Sequence, residues 1–192
     1  DGVFLGSLSF NDTARPEAAE SVKQLRGLGV TETVMLTGDR AAAAEIICSE
    51  TGLDTLYSQL LPEEKLTKLR EIGKNHKVLA VGDGINDALA LKEANVGIAM
   101  GAMGSDTAIQ SADIALMNNN LQNIPFVIVL ARMTRRLIYQ NLALSIGISV
   151  TMIALSAFGI ISALAGSILH NFGAFAVLLN SSRILKMKDA EN

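Results

Sequence analysis

The 192-residue sequence has a single cysteine, no tryptophan, few aromatic residues and, over one long stretch, no charge at all. The lone Cys48 excludes an internal disulfide and a Cys-x-x-Cys metal site, and its Ala/Ile helical surroundings read as core packing in a reducing compartment. The basic residues form no stripe interleaved with aromatics and the net charge is only -3, which argues against nucleic acid as a partner. An initiator Met and a signal peptide are both missing ahead of Asp1-Gly2-Val3-Phe4, so the start reads as the interior of a longer chain, truncated at its N-terminus. Repeats and low-complexity tracts are lacking as well. Between Arg136 and Arg183 there is no Lys, Arg, Asp or Glu, a gap of roughly 46 residues. Such a run is too long for one buried helix and suits two membrane-spanning helices joined by a short turn.

What is present is organised around an apolar run from Lys77 to Val81. It ends in Gly82-Asp83-Gly84-Ile85-Asn86-Asp87 and gives way to a helix-forming Ala/Leu segment. In an open α/β sheet the ligand crevice lies at the carboxyl ends of the strands, so Asp83 stands at its mouth. Gly82 and Gly84 permit a sharp turn and close approach to a ligand. Asn86 can cap the following helix. Asp87, four residues beyond Asp83, brings a second carboxylate within reach of one cation, and two hard oxygen ligands beside a phosphate-sized gap point to Mg²⁺.

The same strand-to-turn pattern recurs where Thr33 to Leu36 runs into Thr37-Gly38-Asp39. There a hydroxyl, backbone N–H groups and the start of a helix from Ala41 to Thr51 suit phosphate oxygens. Lys65 falls in the first turn of a helix from Glu63 to Lys74 preceded by Pro62, a position the helix dipole disfavours for a cation. Further elements are a strand over Val3 to Phe10, a helix that Pro16 and Glu17 open and that Gly27 and Gly29 end, and strands Val96 to Met100 and Asp113 to Leu116. The last two flank a helix opened by Ser105 and Asp106. Alternating strands and helices predict an α/β fold with a doubly wound parallel sheet. His76, in the polar cluster Lys74-Asn75-His76-Lys77, reads as a surface loop residue.

From Leu121 to Tyr139 the pattern is amphipathic and carries Arg132, Arg135 and Arg136; Arg183, Lys186 and Lys188 follow the uncharged stretch. Positive charge at both ends places both in the cytoplasm and requires an even number of spans. Two helices, roughly Asn141 to Ile161 and Leu164 to Leu185, satisfy this, with membrane lipid as their surroundings and the soluble part cytoplasmic. His170 and Asn171 are costly in such a segment unless they pair or coordinate, so they are expected to face other helices, as transport-site ligands or as packing groups. Asn180, Ser181 and Ser182 read as structural, and Asn141 fits either role.

Taken in order, Thr37-Gly38-Asp39, Pro62-Glu63-Glu64-Lys65 and Gly82-Asp83-Gly84-Ile85-Asn86-Asp87 resemble the phosphorylation domain of a P-type ATPase, in the haloacid dehalogenase-like superfamily. Asp12-Thr13-Ala14-Arg15-Pro16 is similar to the hinge where the chain returns from the nucleotide-binding domain, and a terminal hairpin of two spans resembles the heavy-metal (P1B) subgroup. The resemblance implies a Rossmann-like phosphorylation domain over 1–120, a stalk over 121–139, two transmembrane helices over 140–185 and a cytoplasmic tail over 186–192.

The resemblance further implies that Asp83, as direct ligand, and Asp87 hold Mg²⁺. It implies that Thr37 and Lys65 contact the phosphoryl group in a catalytic set with Gly38, Asp39 and Asn86, the last ordering the loop. ATP is the implied substrate, with its adenine site upstream. The implied nucleophile is the aspartate of Asp-Lys-Thr-Gly-Thr. No such sequence occurs here, so the fragment alone is expected not to hydrolyse ATP. Leu89 stands where the family commonly has proline, which alters a helix first turn and removes no ligand. His170-Asn171 falls where zinc- and cobalt-type members often show His-Glu-Gly, which makes the pair the transported-metal candidates. A divalent ion of the Zn, Co, Cd or Mn class is favoured over Cu⁺, moved outward across a bacterial plasma membrane. Two alternatives remain open: a membrane-tethered phosphatase of the same superfamily, and a truncated, non-enzymatic interaction module.

Overall fold

Short apolar segments alternating with helices resolve into parallel sheets in the computed structural model, which describes residues 13–84, 86–101 and 106–187. The strand expected over Val3 to Phe10, the hinge residue Asp12, the helix opener Ser105 and Lys188 lie outside the described residues. The chain divides after Asn123 into two compact units.

In the first unit the order is α1 (Ala18–Gly27), β1 (Val34–Leu36), α2 (Ala41–Thr51), β2 (Thr55–Tyr57), α3 (Pro62–Gly73), β3 (Leu79–Gly82), α4 (Ala88–Glu93), β4 (Val96–Met100), α5 (Asp106–Ser111) and β5 (Ile114–Leu116). Helix ends follow local chemistry. Pro62 opens α3, where the Glu64 carboxylate accepts the Leu61 N–H at 2.8 Å. Gly52, at φ +73°, closes α2 by donating its N–H to Cys48 O at 2.9 Å. Cys48 itself is half-buried. His76 is exposed.

Among the described residues every strand pairing is parallel. β1 pairs with β2, Met35 opposite Leu56, and β3-β4-β5 form a second sheet with Val81 opposite Ile98 and Ile98 opposite Ile114. The sequence reading expects one sheet; the described residues form two, because β1 and β3 are each paired along one edge only. β2 escapes the sequence reading, since three residues directly after the Gly52 turn are too few to show an alternation. In the second sheet Leu91, Ala99 and Ala108 are buried together, with Ala80, Ala112 and Ala115 packed against them. Gly97 makes this possible: a Cβ there would lie 2.4 Å from Leu91 O, so its absence lets α4 rest directly on β4.

The second unit is a helical hairpin, α6 (Asn123–Ala157) and α7 (Ala163–Ser181), followed by a 3₁₀ turn over Ser182–Lys186. One continuous helix covers both the segment read as a stalk and the first apolar span, since neither Gly nor Pro interrupts the stretch from Phe126 to Ile146. Gly159, at φ +69°, begins the turn, and Ser162 caps α7 by accepting the Ala165 N–H at 3.3 Å. Both helices are long and apolar enough to cross a membrane, with mean hydropathies of 1.6 and 1.2 and almost nothing buried.

A cluster of amides and one hydroxyl fastens the hairpin at its charged end. Asn141 Nδ2 donates to Ser181 Oγ at 2.8 Å, and Asn180 Nδ2 donates to Asn141 Oδ1 at 2.9 Å. Asn141 is thus placed by structure in the packing role, together with Asn180 and Ser181. Deeper along the hairpin, Gly173 brings α7 against Ile148 of α6.

Candidate active site

β3 delivers Asp83 to the carboxyl edge of the second sheet, and the loop after it is fixed by steric fit and by hydrogen bonds. Gly84 is buried at φ +75°, and a Cβ on it would fall 2.6 Å from Ala108 Cα, so the position admits only glycine. Ser111 Oγ donates to Gly84 O at 3.2 Å and lies 3.0 Å from Ala108 O, which ties the loop to α5. Asn86 donates its backbone N–H to Asp83 Oδ1 at 3.0 Å and its amide Nδ2 to Asp83 Oδ2 at 3.2 Å. The helix-capping role expected for Asn86 from sequence is therefore corrected. Asp87 is the residue at the N-cap of α4, without a side-chain capping bond, and the Asn86 side chain is spent on orienting the Asp83 carboxylate.

Lys65, in the first turn of α3, reaches Asp87, with Nζ 3.1 Å from Oδ1 and side chains 20% and 28% exposed. The ion pair supplies the anion that the helix dipole does not. Five residues on, Arg70 meets Glu93 through two bonds, Nε to Oε1 at 3.0 Å and Nη2 to Oε2 at 3.1 Å. The bond from Arg70 holds the Glu93 carboxyl below its ordinary range. This fork joins α3 to α4, the two helices that carry Lys65 and Asp87. Sequence reading misses it, because the partners are 23 residues apart with no local signal.

The first sheet carries the other candidate residues. Thr37 is buried, its hydroxyl donates to Asp39 Oδ2 at 2.6 Å, and the Asp39 N–H donates back to Thr37 Oγ1 at 3.1 Å. Backbone bonds fasten this turn to the loop after β2: Thr37 N–H to Tyr57 O at 2.9 Å, Gln59 N–H to Asp39 O at 2.9 Å and Leu60 N–H to Thr37 O at 3.0 Å. A Cβ on Gly38 would stand 3.3 Å from Leu60 O, so Gly38 gives that loop its room. Gln59 takes the left-handed region at φ 58° within this clasp, a feature side-chain patterning cannot reveal. Beneath the same sheet Asp54 accepts from the Thr33 hydroxyl at 2.6 Å and the Thr33 N–H at 2.8 Å; these bonds, with Arg26 close by, hold its carboxyl below the ordinary value of 3.8.

The donor set matches Mg²⁺ better than a transition metal. Among the described residues no three His, Cys, Asp or Glu side chains converge, whereas Mg²⁺ is commonly held by one or two carboxylates plus phosphate and water. Asp83 is exposed and oriented, and Asp87 folds over Gly82, where its Oδ2 lies 3.0 Å from the position a Cβ would take. In the hairpin, His170 and Asn171 are both exposed rather than turned to the α6–α7 contact, and Asn171 Nδ2 donates to Ser167 O of its own helix at 2.9 Å.

Comparison with known proteins places this geometry. A haloacid dehalogenase-like hydrolase family matches residues 3–95, and a second family of the same description matches residues 64–128. The manganese-exporting P-type ATPase of Mycobacterium bovis is 40% identical over 98% of this chain and 26% of its own length. The zinc-exporting P-type ATPase of Mycobacterium marinum shows the same identity and coverage, 40% over 98% of this chain and 26% of its own. The crystal structure of a zinc-transporting PIB-type ATPase superposes with a TM-score of 0.81 at 36% identity, covering 91% of this chain and 28% of that one. The chain thus spans about a quarter of the length of the relatives it matches. Together with two parallel sheets whose strands run into the Thr37 and Asp83 turns and a pair of long apolar helices, these matches show that the chain carries haloacid dehalogenase-like hydrolase sequence and is similar to a portion of manganese- and zinc-exporting P-type ATPases and of a zinc-transporting PIB-type ATPase.

Proposed function

We propose that the chain is the phosphoryl-handling and hairpin portion of an ATP-driven pump for a divalent transition-metal cation, working through an aspartyl-phosphate formed on a segment outside these 192 residues. One observation carries the reading: the Lys65–Asp87 ion pair at the carboxyl edge of the sheet, beside an Asp83 carboxylate oriented by Asn86. A cation and a pair of carboxylates at one loop suit phosphoryl transfer, where catalysis is mostly positioning and charge stabilisation. Mg²⁺ held by Asp83 and Asp87 would supply neutralising charge, ATP being its partner with the adenine bound elsewhere in the protein. Lys65 adds positive charge from α3. The Thr37 hydroxyl, now donating to Asp39, can turn its hydrogen to a phosphoryl oxygen while still accepting the Asp39 N–H.

The cargo assignment rests on the hairpin and on the relatives. Proteins that export manganese and zinc are 40% identical to this chain, and His170 with Asn171 offers an imidazole, which suits zinc, beside an amide oxygen, a harder donor of the kind that suits manganese. His170 and Asn171, exposed on α7, would face further helices of a multi-pass membrane protein, with both ends of the hairpin cytoplasmic and export as the direction.

The test uses the full-length protein in membrane vesicles and reads metal-stimulated ATP hydrolysis and acid-stable phosphoenzyme. Turnover stimulated by Mn²⁺ or Zn²⁺ is expected, with Asp83→Asn lowering it by about a hundredfold or more. His170→Ala is expected to abolish the metal stimulation. Unchanged turnover in Asp83→Asn refutes the mechanism, and activity indifferent to His170 and Asn171 favours a membrane-tethered phosphatase.

A further inference from the structure

We infer that the charged end of the hairpin is a binding site for the phosphate-bearing headgroup of an anionic membrane lipid. The inference rests on the membrane reading of α6 and α7 given above. On one face of α6, Arg132, Arg135, Arg136, Tyr139, Gln140 and Ala143 frame an open recess of about 650 Å³. Their spacing of three and four residues aligns them along the helix, so the guanidinium groups converge instead of circling it. The recess spans the start of the uncharged run, which begins at Leu137, and reaches Ala143, just past the Asn141 at which the sequence reading starts the first span; this is headgroup depth for a helix that enters the bilayer there.

Three further observations make this more than a charge signal for orientation. The bonds from Asn180 to Asn141 and from Asn141 to Ser181 bring the end of α7 alongside, adding Arg183 and Lys186 to the same end of the hairpin. The sequence has no acidic residue between Asp113 and Asp189, so the hairpin supplies no carboxylate of its own to neutralise this charge. The recess also presents donors. Gln140 Oε1 accepts from the Asn180 amide at 3.4 Å, and guanidinium forks with a tyrosine hydroxyl match phosphodiester oxygens. Tyr139, 63% exposed, is an aromatic of the type that settles at the interface. Basic clusters next to a membrane helix attract anionic lipid in proportion to the number of arginines near the surface.

The experiment takes the full 192-residue chain in a neutral detergent and counts bound lipid by native mass spectrometry during titration with phosphatidylglycerol or phosphatidylcholine. Phosphatidylglycerol is expected to bind at least about tenfold more tightly. Arg135→Gln/Arg136→Gln is expected to weaken it about thirtyfold while leaving phosphatidylcholine unaffected. Lys74→Gln/Lys77→Gln, which removes equal charge from the first unit, is expected to change nothing. Should the glutamine pair lose helix by circular dichroism, Arg135→Lys/Arg136→Lys replaces it, and weakening of only a few-fold is then the expected result. Equal binding of the two lipids overturns the inference. So does an arginine variant that binds normally, and so does displacement of phosphatidylglycerol by millimolar inorganic phosphate, which would mark a site for soluble anions. Extraction of membranes with alkaline carbonate separates the two readings. Release of the chain refutes the membrane assignment itself, whereas retention without lipid selectivity refutes only the headgroup site.

Discussion

Replacing Gly84 with alanine puts a methyl group where the fold leaves no room for one. Two costs can be separated. The backbone lies at φ +75°, and forcing an L side chain into the left-handed region costs about 1 kcal/mol. The new Cβ would lie 2.6 Å from Ala108 Cα and 2.7 Å from Ala108 Cβ, atoms of a helix that cannot rotate aside, so α5 must shift; overpacking of this kind costs about 2 kcal/mol. The expected loss is therefore roughly 3 kcal/mol, before any weakening of the Ser111 bond to Gly84 O. Gly52→Ala is the matched control, since Gly52 sits at φ +73° with nothing within 4 Å of its Cβ position. Amide exchange across β4, followed by mass spectrometry at rising urea, reports opening of the sheet beneath the loop. With a urea dependence of about 2 kcal/mol/M, Gly84→Ala should open at a concentration roughly 1 M lower than Gly52→Ala. Equal shifts in the two variants would refute the close approach of α5 and with it the account of how the Asp83 loop is held.

Two further outcomes follow from the packing and the charges. Gly173→Leu places side-chain atoms where a Cβ alone would meet Ile148 Cδ1 at 2.9 Å, so α6 and α7 should separate; a disulfide between cysteines introduced at Asn141 and Ser181 should then form more slowly than in the Gly173 parent. Asp54 has its carboxyl pKa lowered by the Thr33 hydroxyl, then the Thr33 N–H and Arg26. A depressed folded pKa means its contribution is present above the ordinary value of 3.8 and lost as pH falls through the lower folded value. Asp54→Asn should therefore lower the urea midpoint at pH 6 and converge with the parent toward pH 3; a gap that stays constant over that range would refute this.

How much of this was legible in the sequence depends on whether the signal was local. The α2 limits, Ala41 and Thr51, and the β4 limits, Val96 and Met100, match the reading because the Thr37-Gly38-Asp39 turn and Gly52, or a short run of apolar residues and Gly97, define them within the segment. Lys65 and Asp87 were each suspect as individuals, one for opposing a helix dipole and one for its distance from Asp83. Their mutual bond needed the tertiary fold, as did the Arg70–Glu93 fork. For Asn86 the sequence offers two roles, a possible helix cap and, from the resemblance, the residue that orders the loop; its side chain suits both, and only the position of the Asp83 carboxylate decides between them. β2, at three residues, lies below the length at which any period can be read.

The unpaired strand edges carry the last consequence. Parallel strands in finished α/β sheets are covered on both faces and paired on both sides unless they lie at an edge. Ile98 and Ala99 of β4 meet that standard at 0% exposure, whereas Leu79 and Val81 of β3 are 37% and 40% exposed. β1, which ends in Thr37, and β3, which ends in Asp83, each have one edge with no strand partner among the described residues. Under the proposed pump reading, a strand bearing the aspartate nucleophile pairs between them and brings that residue to the same carboxyl edge. Amide exchange distinguishes the cases. In the 192-residue chain alone, the amides of β4 should be protected while those of β1 and β3 that point away from β2 and β4 exchange quickly; in the longer protein both sets should be slow. If β3 amides exchange as slowly as those of β4 in the isolated chain, the edge is already satisfied, and the nucleophile must reach Asp83 by some route other than a strand inserted beside it.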